Sequence, residues 1–330
     1  MRKLVSIQKV CGLFPIAGAD RIEMARVLGW ELVVKREEFR VGDLCVYGEI
    51  DSIFPPENPL FAYLEGRRIK TIKMRGQISQ GIAFPLSILP AGDYREGDDV
   101  TEILGVTKYE PEPVDPGQNV ALFPEWIAKT DEERIQTRPE LIEPALVRGN
   151  GPYLATEKLD GCSATYYLNL RDGGRPFGVC SRGQEILTAD KTVYCRMAAE
   201  RNLPEVLKTL AERHQVSQVV LQGEIIGEGV QKNKYKIKGL DLYCFNLLLD
   251  GQKHTAPEIK KLLDGTGIKT VPVLSGNFII PYNMPEMVKL AEGQSLVNPQ
   301  TRREGIVVRS CNHRVSFKVI NPQFLLKYDA

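Results

Sequence analysis

The chain has 330 residues, with 43 lysines and arginines against 42 aspartates and glutamates, a net charge of +1. That length suits two hydrophobic cores, because single cores stop growing near about 250–300 residues. Near-neutrality excludes global attraction to nucleic acid, so such a partner needs a local basic patch, and no stretch approaches the roughly 18 apolar residues of a membrane span.

At the N-terminus, Met1-Arg2-Lys3 and Ala17-Gly18-Ala19 imitate a secretory signal. Gln8 and Lys9 interrupt the apolar run, which also contains Gly12 and Pro15, so no signal peptide is expected. Residues 2–10, 21–27, 30–35, 43–50, 69–74 and 81–85 read as short strands between turn signals, the pattern of a small β-barrel occupying residues 1–108. Arg67, Arg68, Lys70, Lys73 and Arg75 bring five cations into nine residues. Strand alternation places Arg68, Lys70 and Ile72 on one face and Arg67, Ile69, Thr71 and Lys73 on the other. A solvated charged strand and a strand that binds nucleic-acid phosphates both fit this pattern.

Residues 109–118 are proline-rich and acidic, cannot continue a strand or helix, and read as a linker. From 119 to 330 the pattern changes. Strands are expected at 219–226, 240–249, 305–309 and 314–319, and helices near 189–201, 205–213, 257–263 and 285–291, which makes the second domain α+β. Seven cysteines without a Cys-x-x-Cys pair form no closed disulfide framework and suit a reducing, intracellular compartment, the cytoplasm foremost. His214, His254 and His313 have no zinc-type spacing.

The chemistry centres on Glu157-Lys158-Leu159-Asp160-Gly161. Taken alone, Lys-x-Asp-Gly fits a solvated hairpin turn as well as a nucleophilic amine. Further along, Glu224, Glu304 and Lys318 each adjoin or interrupt an apolar strand, and a charge in a buried run needs a partner. A free lysine amine is rare at pH 7, about one molecule in a few thousand. A nucleophilic lysine therefore needs a neighbouring cation and a divalent metal to disfavour its ammonium, and Lys318 is the candidate cation for Lys158.

Together these segments resemble the ordered motifs of the covalent nucleotidyltransferase superfamily of polynucleotide ligases and RNA capping enzymes. Glu157 to Gly161 resembles motif I, Ser181-Arg182-Gly183 motif Ia, Leu221-Gln222-Gly223-Glu224 motif III and Leu242-Tyr243-Cys244-Phe245-Asn246 motif IIIa. Arg303-Glu304-Gly305-Ile306-Val307 resembles motif IV and Phe317-Lys318-Val319-Ile320 motif V. The resemblance implies that Lys158 attacks the α-phosphorus of ATP to form lysyl-AMP. It further implies that Asp160, Glu224 and Glu304 hold Mg²⁺ or Mn²⁺ through water, and that Lys318 contacts the α-phosphate and Arg182 the ribose. Phe245 would stack on adenine and Glu157 would read its amino group, although an aromatic in an apolar strand is also ordinary core.

Only twelve residues follow Lys318, too few for a barrel after motif V, whereas a barrel pattern precedes motif I. That order resembles the fifth RNA ligase family, with an N-terminal OB-fold domain ahead of an antiparallel α+β nucleotidyltransferase domain. Residues 42–51, 75–81 and 97–105 share in the resemblance, as does Lys129-Thr130-Asp131-Glu132-Glu133-Arg134, whose Lys129 and Arg134 are candidates for phosphate contact. Many relatives carry two lysines in motif V; here Ser316 stands at the first. The implied protein is a monomeric ATP-dependent RNA ligase that seals 3′-hydroxyl/5′-phosphate nicks in RNA or RNA–DNA duplexes. The alternatives are an ATP-dependent DNA ligase and a nucleic-acid-binding protein with an inactive nucleotidyltransferase domain.

Overall fold

The structure is a computed structural model that describes residues 3–109, 119–171, 176–187 and 191–328. All but Tyr109 of the expected linker lies outside the described residues. The architecture is α+β, with sheets that are almost entirely antiparallel.

The N-terminal sheet contains β1 (Val5–Pro15), β2 (Ile22–Val27), β3 (Trp30–Lys35), β4 (Leu44–Gly48) and, after a hairpin of β5 (Thr71–Met74) and β6 (Gln77–Gln80), β7 (Ile82–Pro85). Its order is β3-β2-β1-β4-β7. β1 runs five residues beyond its predicted end because it serves two partners: Val5 to Lys9 pair with β4, and Val10 to Pro15 pair with β2 across a bulge between Val10 and Gly12. The bulge lets one strand bend around the barrel, so Gly12 turns the strand rather than ending it. Two apolar clusters fill the two sides of this curved sheet, one around Val46, Phe54 and Phe84 and the other around Trp30, Leu32 and Tyr47.

The second half carries two sheets. An eight-stranded sheet has β8 (Cys162–Asn169), β9 (Gln218–Gly227) and β10 (Leu240–Leu249) at its centre. Its core is sealed by helices α1 (Val193–Glu200) and α2 (Leu203–His214), which bury Met197, Leu203, Leu207 and Leu210 against it. A four-stranded sheet joins the strand Tyr153–Lys158 to β11 (Gly305–Ser310) and β12 (Ser316–Ile320), and its far face is covered by the helix Met284–Ala291. Between the sheets a small cluster, Leu159, Ile226, Tyr235, Tyr243 and Val271, forms the floor of a cleft.

The barrel is tied to this cleft by residues 129–138, hereafter the strap. Gly29 donates its N–H to Gln136 O at 2.8 Å, Thr137 Oγ1 donates to Glu49 Oε1 at 3.1 Å, and Arg134 reaches Asp51 at 3.2 Å. The helix Pro322–Tyr328 adds Leu325 to the barrel's second cluster. No helix among the described residues is long and apolar enough to cross a membrane.

Candidate active site

Strand register builds the site. Lys158 pairs with Gly305 across the four-stranded sheet, so the preceding residue, Glu304, comes alongside, with its Oε2 2.7 Å from Lys158 Nζ. Only glycine fits at 305, since a Cβ there would lie 2.1 Å from the Val319 carbonyl oxygen. The same argument explains Gly161: a Cβ would meet Ile225 O at 2.2 Å. This close approach of the turn to β9 lets the Gly161 N–H donate to Glu224 Oε1 at 3.0 Å. Asp160 is fixed through its N–H, which donates to the Tyr235 hydroxyl at 2.9 Å, and through an ion pair with Lys234.

A cavity of about 280 Å³ opens here between the two sheets. Of the residues expected at the site, it is lined by Glu157, Lys158, Asp160, Arg182, Glu224, Phe245 and Lys318, with Glu304 joined to it through Lys158. Phe245 enters because of a bulge. Gln222 pairs with Asn246 and Gly223 with Cys244, which leaves Phe245 as the extra residue on β10 and turns its ring out of the ladder. Glu157 is buried, its Oε2 accepts from the Leu296 N–H at 2.8 Å, and its Oε1 has no partner among the described residues. Burial pushes its carboxyl above the usual carboxylate range. Arg182 is mostly exposed and pairs with Asp131 across the cavity mouth.

The charges do not follow the simple expectation. Burial lowers the Lys158 ammonium and is the largest single influence, but the Glu304, Glu224 and Asp160 carboxylates together outweigh it, so the net shift is upward. Lys318 yields instead: burial, then repulsion from Lys158 and Arg134, lower it to about 7. Of the two influences expected to free the Lys158 amine, the neighbouring lysine alone is therefore insufficient, because three carboxylates surround Lys158 and fewer surround Lys318. Burial raises Glu224 to about 8 against the pull of Lys158, and it raises Glu304 as well.

No group of three histidine, cysteine, aspartate or glutamate side chains among the described residues is arranged to hold a metal directly. Asp160, Glu224 and Glu304 are each already engaged, by Lys234, the Gly161 N–H and Lys158. Hard carboxylate oxygens in that arrangement fit a hydrated divalent cation held through its waters rather than one ligated by all three.

Two expected phosphate contacts lie elsewhere. Lys129 is exposed and does not line the cavity, although its neighbours Thr130, Asp131 and Glu132 do. Arg134 turns to Asp51 of the barrel while its backbone flanks Lys318: Lys318 N donates to Glu133 O at 2.8 Å and Ile135 N to Lys318 O at 3.0 Å. In the barrel, Arg68 is mostly buried, pairs with Asp51 at 3.5 Å and stacks 4.4 Å over Tyr109. The strand begins only at Thr71, so the alternation expected from Arg67 onward does not hold. Arg67 pairs with Glu65 on the surface, and Lys70, Lys73 and Arg75 are exposed. Arg75 and Gly76, with φ of 49° and 86°, form the hairpin tip. Arg68→Ala is accordingly expected to lower the melting temperature without changing the salt dependence of nucleic-acid binding. Lys73→Ala with Arg75→Ala should instead leave melting unchanged and lower the log–log salt slope of binding by about two. A slope unchanged in that double variant would remove the hairpin from the interface.

Several lining residues lie outside the six motifs: Glu132, Thr156, Ser163, Gln231 and Arg309. Arg309 lies two residues past motif IV and reaches the cavity only because β11 lies between the Tyr153–Lys158 strand and β12.

The sequence matches the OB-fold domain family over residues 4–86 and the RNA ligase family over residues 151–328. No curated protein sequence matches. Among solved structures, the chain is similar to Naegleria gruberi RNA ligase in several forms. A lysine-to-alanine mutant with ATP and Mn is 35% identical, with a TM-score of 0.87 over 99% of each chain. The enzyme with PPi is 35% identical, with a TM-score of 0.85 over 100% of this chain and 99% of that one. A glutamate-to-alanine mutant with AMP and Mn is 34% identical, with a TM-score of 0.85 over 99% of each chain. With both halves matched in order and the relatives covered from end to end, the chain belongs to the RNA ligase family and is an RNA ligase with an N-terminal OB-fold.

Proposed function

We propose that this ligase is ATP-dependent and works through lysyl-AMP at Lys158, sealing 3′-hydroxyl/5′-phosphate nicks in duplexes whose 3′-hydroxyl strand is RNA. The observation that carries the reading is Lys158 in a cavity with Lys318 on one side and Glu224 and Glu304 on the other. Among the forms in which the Naegleria relative was solved, ATP with Mn and PPi correspond to the reactant and product of such a step, and AMP with Mn to the nucleotide released when ends are joined.

In that step a bond forms from Lys158 Nζ to the α-phosphorus and the bond from that phosphorus to the bridging oxygen breaks, releasing pyrophosphate. The Lys158 nitrogen sheds two protons: one from its ammonium to Glu304, to which it already donates, giving the amine that attacks, and one to solvent as the nitrogen–phosphorus bond forms. Lys318 binds the α-phosphate, Glu157 Oε1 accepts from the adenine amino group, and Phe245 covers the base. A divalent cation near Asp160, Glu224 and Glu304 would supply charge neutralisation for the phosphates. AMP then passes to the 5′-phosphate end, and a 3′-hydroxyl displaces it to make the phosphodiester. Exposed Lys73 and Arg75 of the barrel hairpin contact the nicked duplex. The seven cysteines form no disulfide, which suits a reducing, intracellular setting, and the ligase would act there as a monomer.

The test is incubation with α-labelled ATP and Mg²⁺ or Mn²⁺, followed by nicks differing only in the 3′-terminal sugar. Label is expected on the protein, and sealing should favour RNA over DNA at the 3′-hydroxyl by roughly fivefold or more, the worth of one hydrogen bond to a 2′-hydroxyl. Protein that takes no label overturns lysyl-AMP, and equal sealing of both sugars favours a DNA-joining role.

A further inference from the structure

Ser316, where a second motif V lysine was expected, faces the strap and not the centre of the cavity. Its hydroxyl donates to Glu132 Oε2 at 2.5 Å. The other oxygen, Glu132 Oε1, accepts from Arg309 Nη2 at 2.7 Å and Nε at 3.1 Å. Arg309 and Ser316 are register partners on β11 and β12, so one carboxylate from the strap caps both. The remaining end of the guanidinium crosses the cleft: Nη1 donates to the Phe245 carbonyl and to Asn246 Oδ1, both at 2.8 Å. Asn246 donates in turn to Gln222 Oε1 at 2.8 Å, and Gln222 Nε2 donates to Ala128 O, the residue just before the strap, also at 2.8 Å.

Arg309 therefore spans from the four-stranded sheet to the bulge of the eight-stranded one, and it holds the bulge at the residue whose ring lines the cavity. Its side chain and that of Glu132 are only 18% and 16% exposed. An ion pair so far out of water keeps its geometry only when nearly every donor is satisfied, and four of the five guanidinium N–H directions have named acceptors here.

We propose that Glu132, Arg309 and Ser316 form a clasp that sets the gap between the two sheets and thereby positions Phe245 against the nucleotide base, making them positioning residues for base recognition. This rests on the nucleotide reading of the cavity. In this arrangement Ser316 is part of the clasp and leaves no gap in phosphate binding. A lysine at 316 would take Glu132 from Arg309 and slacken the clasp.

The experiment uses the full chain with ATP and GTP as probes, measuring equilibrium binding by calorimetry and lysine labelling as kcat and KM. Glu132→Gln and Arg309→Lys are expected to weaken ATP binding and raise its KM roughly tenfold with little change in kcat, and to narrow the preference for ATP over GTP. Ser316→Lys should do the same, and Ser316→Ala, a small change that preserves folding, should give the same pattern at lower amplitude. ATP affinity and ATP/GTP preference equal to wild type in Ser316→Lys and Ser316→Ala overturn the proposal, as does faster labelling by Ser316→Lys, which would show that a phosphate-binding lysine is missing. A wild-type protein that binds ATP selectively without labelling defeats lysyl-AMP and leaves the clasp standing. One that binds neither nucleotide defeats both.

Discussion

Arginine in place of Lys158 is expected to abolish covalent capture of AMP while leaving the fold intact. A guanidinium stays protonated throughout the accessible pH range and offers no lone pair to phosphorus. It still supplies the cation that Glu304 needs 2.7 Å away. Lys158→Ala removes both nucleophile and cation. It leaves Glu304, 13% exposed, without its partner, which costs on the order of 3 kcal/mol. Gel labelling with α-labelled ATP and thermal melting, run on both variants, separate the two roles. Label on the arginine variant would place the nucleophile elsewhere, and equal melting of the alanine variant and wild type would mean the ion pair contributes nothing to stability.

The second large effect concerns Lys318. Lys318→Ala should lower kcat/KM for ATP by about 10² to 10³, the usual consequence of deleting one preorganised group that meets developing charge. The pH dependence is more diagnostic. Lys318 is lowered to about 7 by burial and by its cationic neighbours Lys158 and Arg134, so its ammonium is lost as pH rises through that value. Phosphates bind the charged form and ATP uptake draws in a proton, so the KM for ATP should climb above about pH 7 by at most tenfold per pH unit, the limit for one linked proton. Lys318→Arg keeps the charge at every pH and should flatten that climb. A wild-type KM that does not move between about pH 7 and 9 would show that Lys318 does not carry the phosphate contact.

Much of this arrangement was legible in the sequence, and the exceptions have physical causes. Trp30–Lys35 and Leu240–Leu249 were readable to the residue, since one alternates and the other is nearly continuous in apolar side chains. Glu224, Glu304 and Lys318 stood out because each sits in or beside an apolar run, and the structure gathers them around Lys158. The Lys158 strand itself carried no strand signal: Tyr153–Lys158 is buried on both faces and shows no alternation. Arg134 looked like a phosphate ligand because residue type says nothing of direction, and its partner, Asp51, lies 83 residues away. Glu132 and Arg309, 177 residues apart, meet only through strand register, which no local pattern encodes. The balance of charge on Lys158 is hidden for a related reason: the three carboxylates that outweigh burial come from three separate segments.

The strap has a mechanical consequence. Its backbone grips Lys318 from both sides through Glu133 O and the Ile135 N–H, and one residue later Gln136 O is gripped by Gly29 of the barrel. A barrel pulled outward must therefore either shear this ladder or drag the middle of β12 with it. Load on one end of the molecule is delivered, through four consecutive residues, to the lysine that would hold the phosphate at the other.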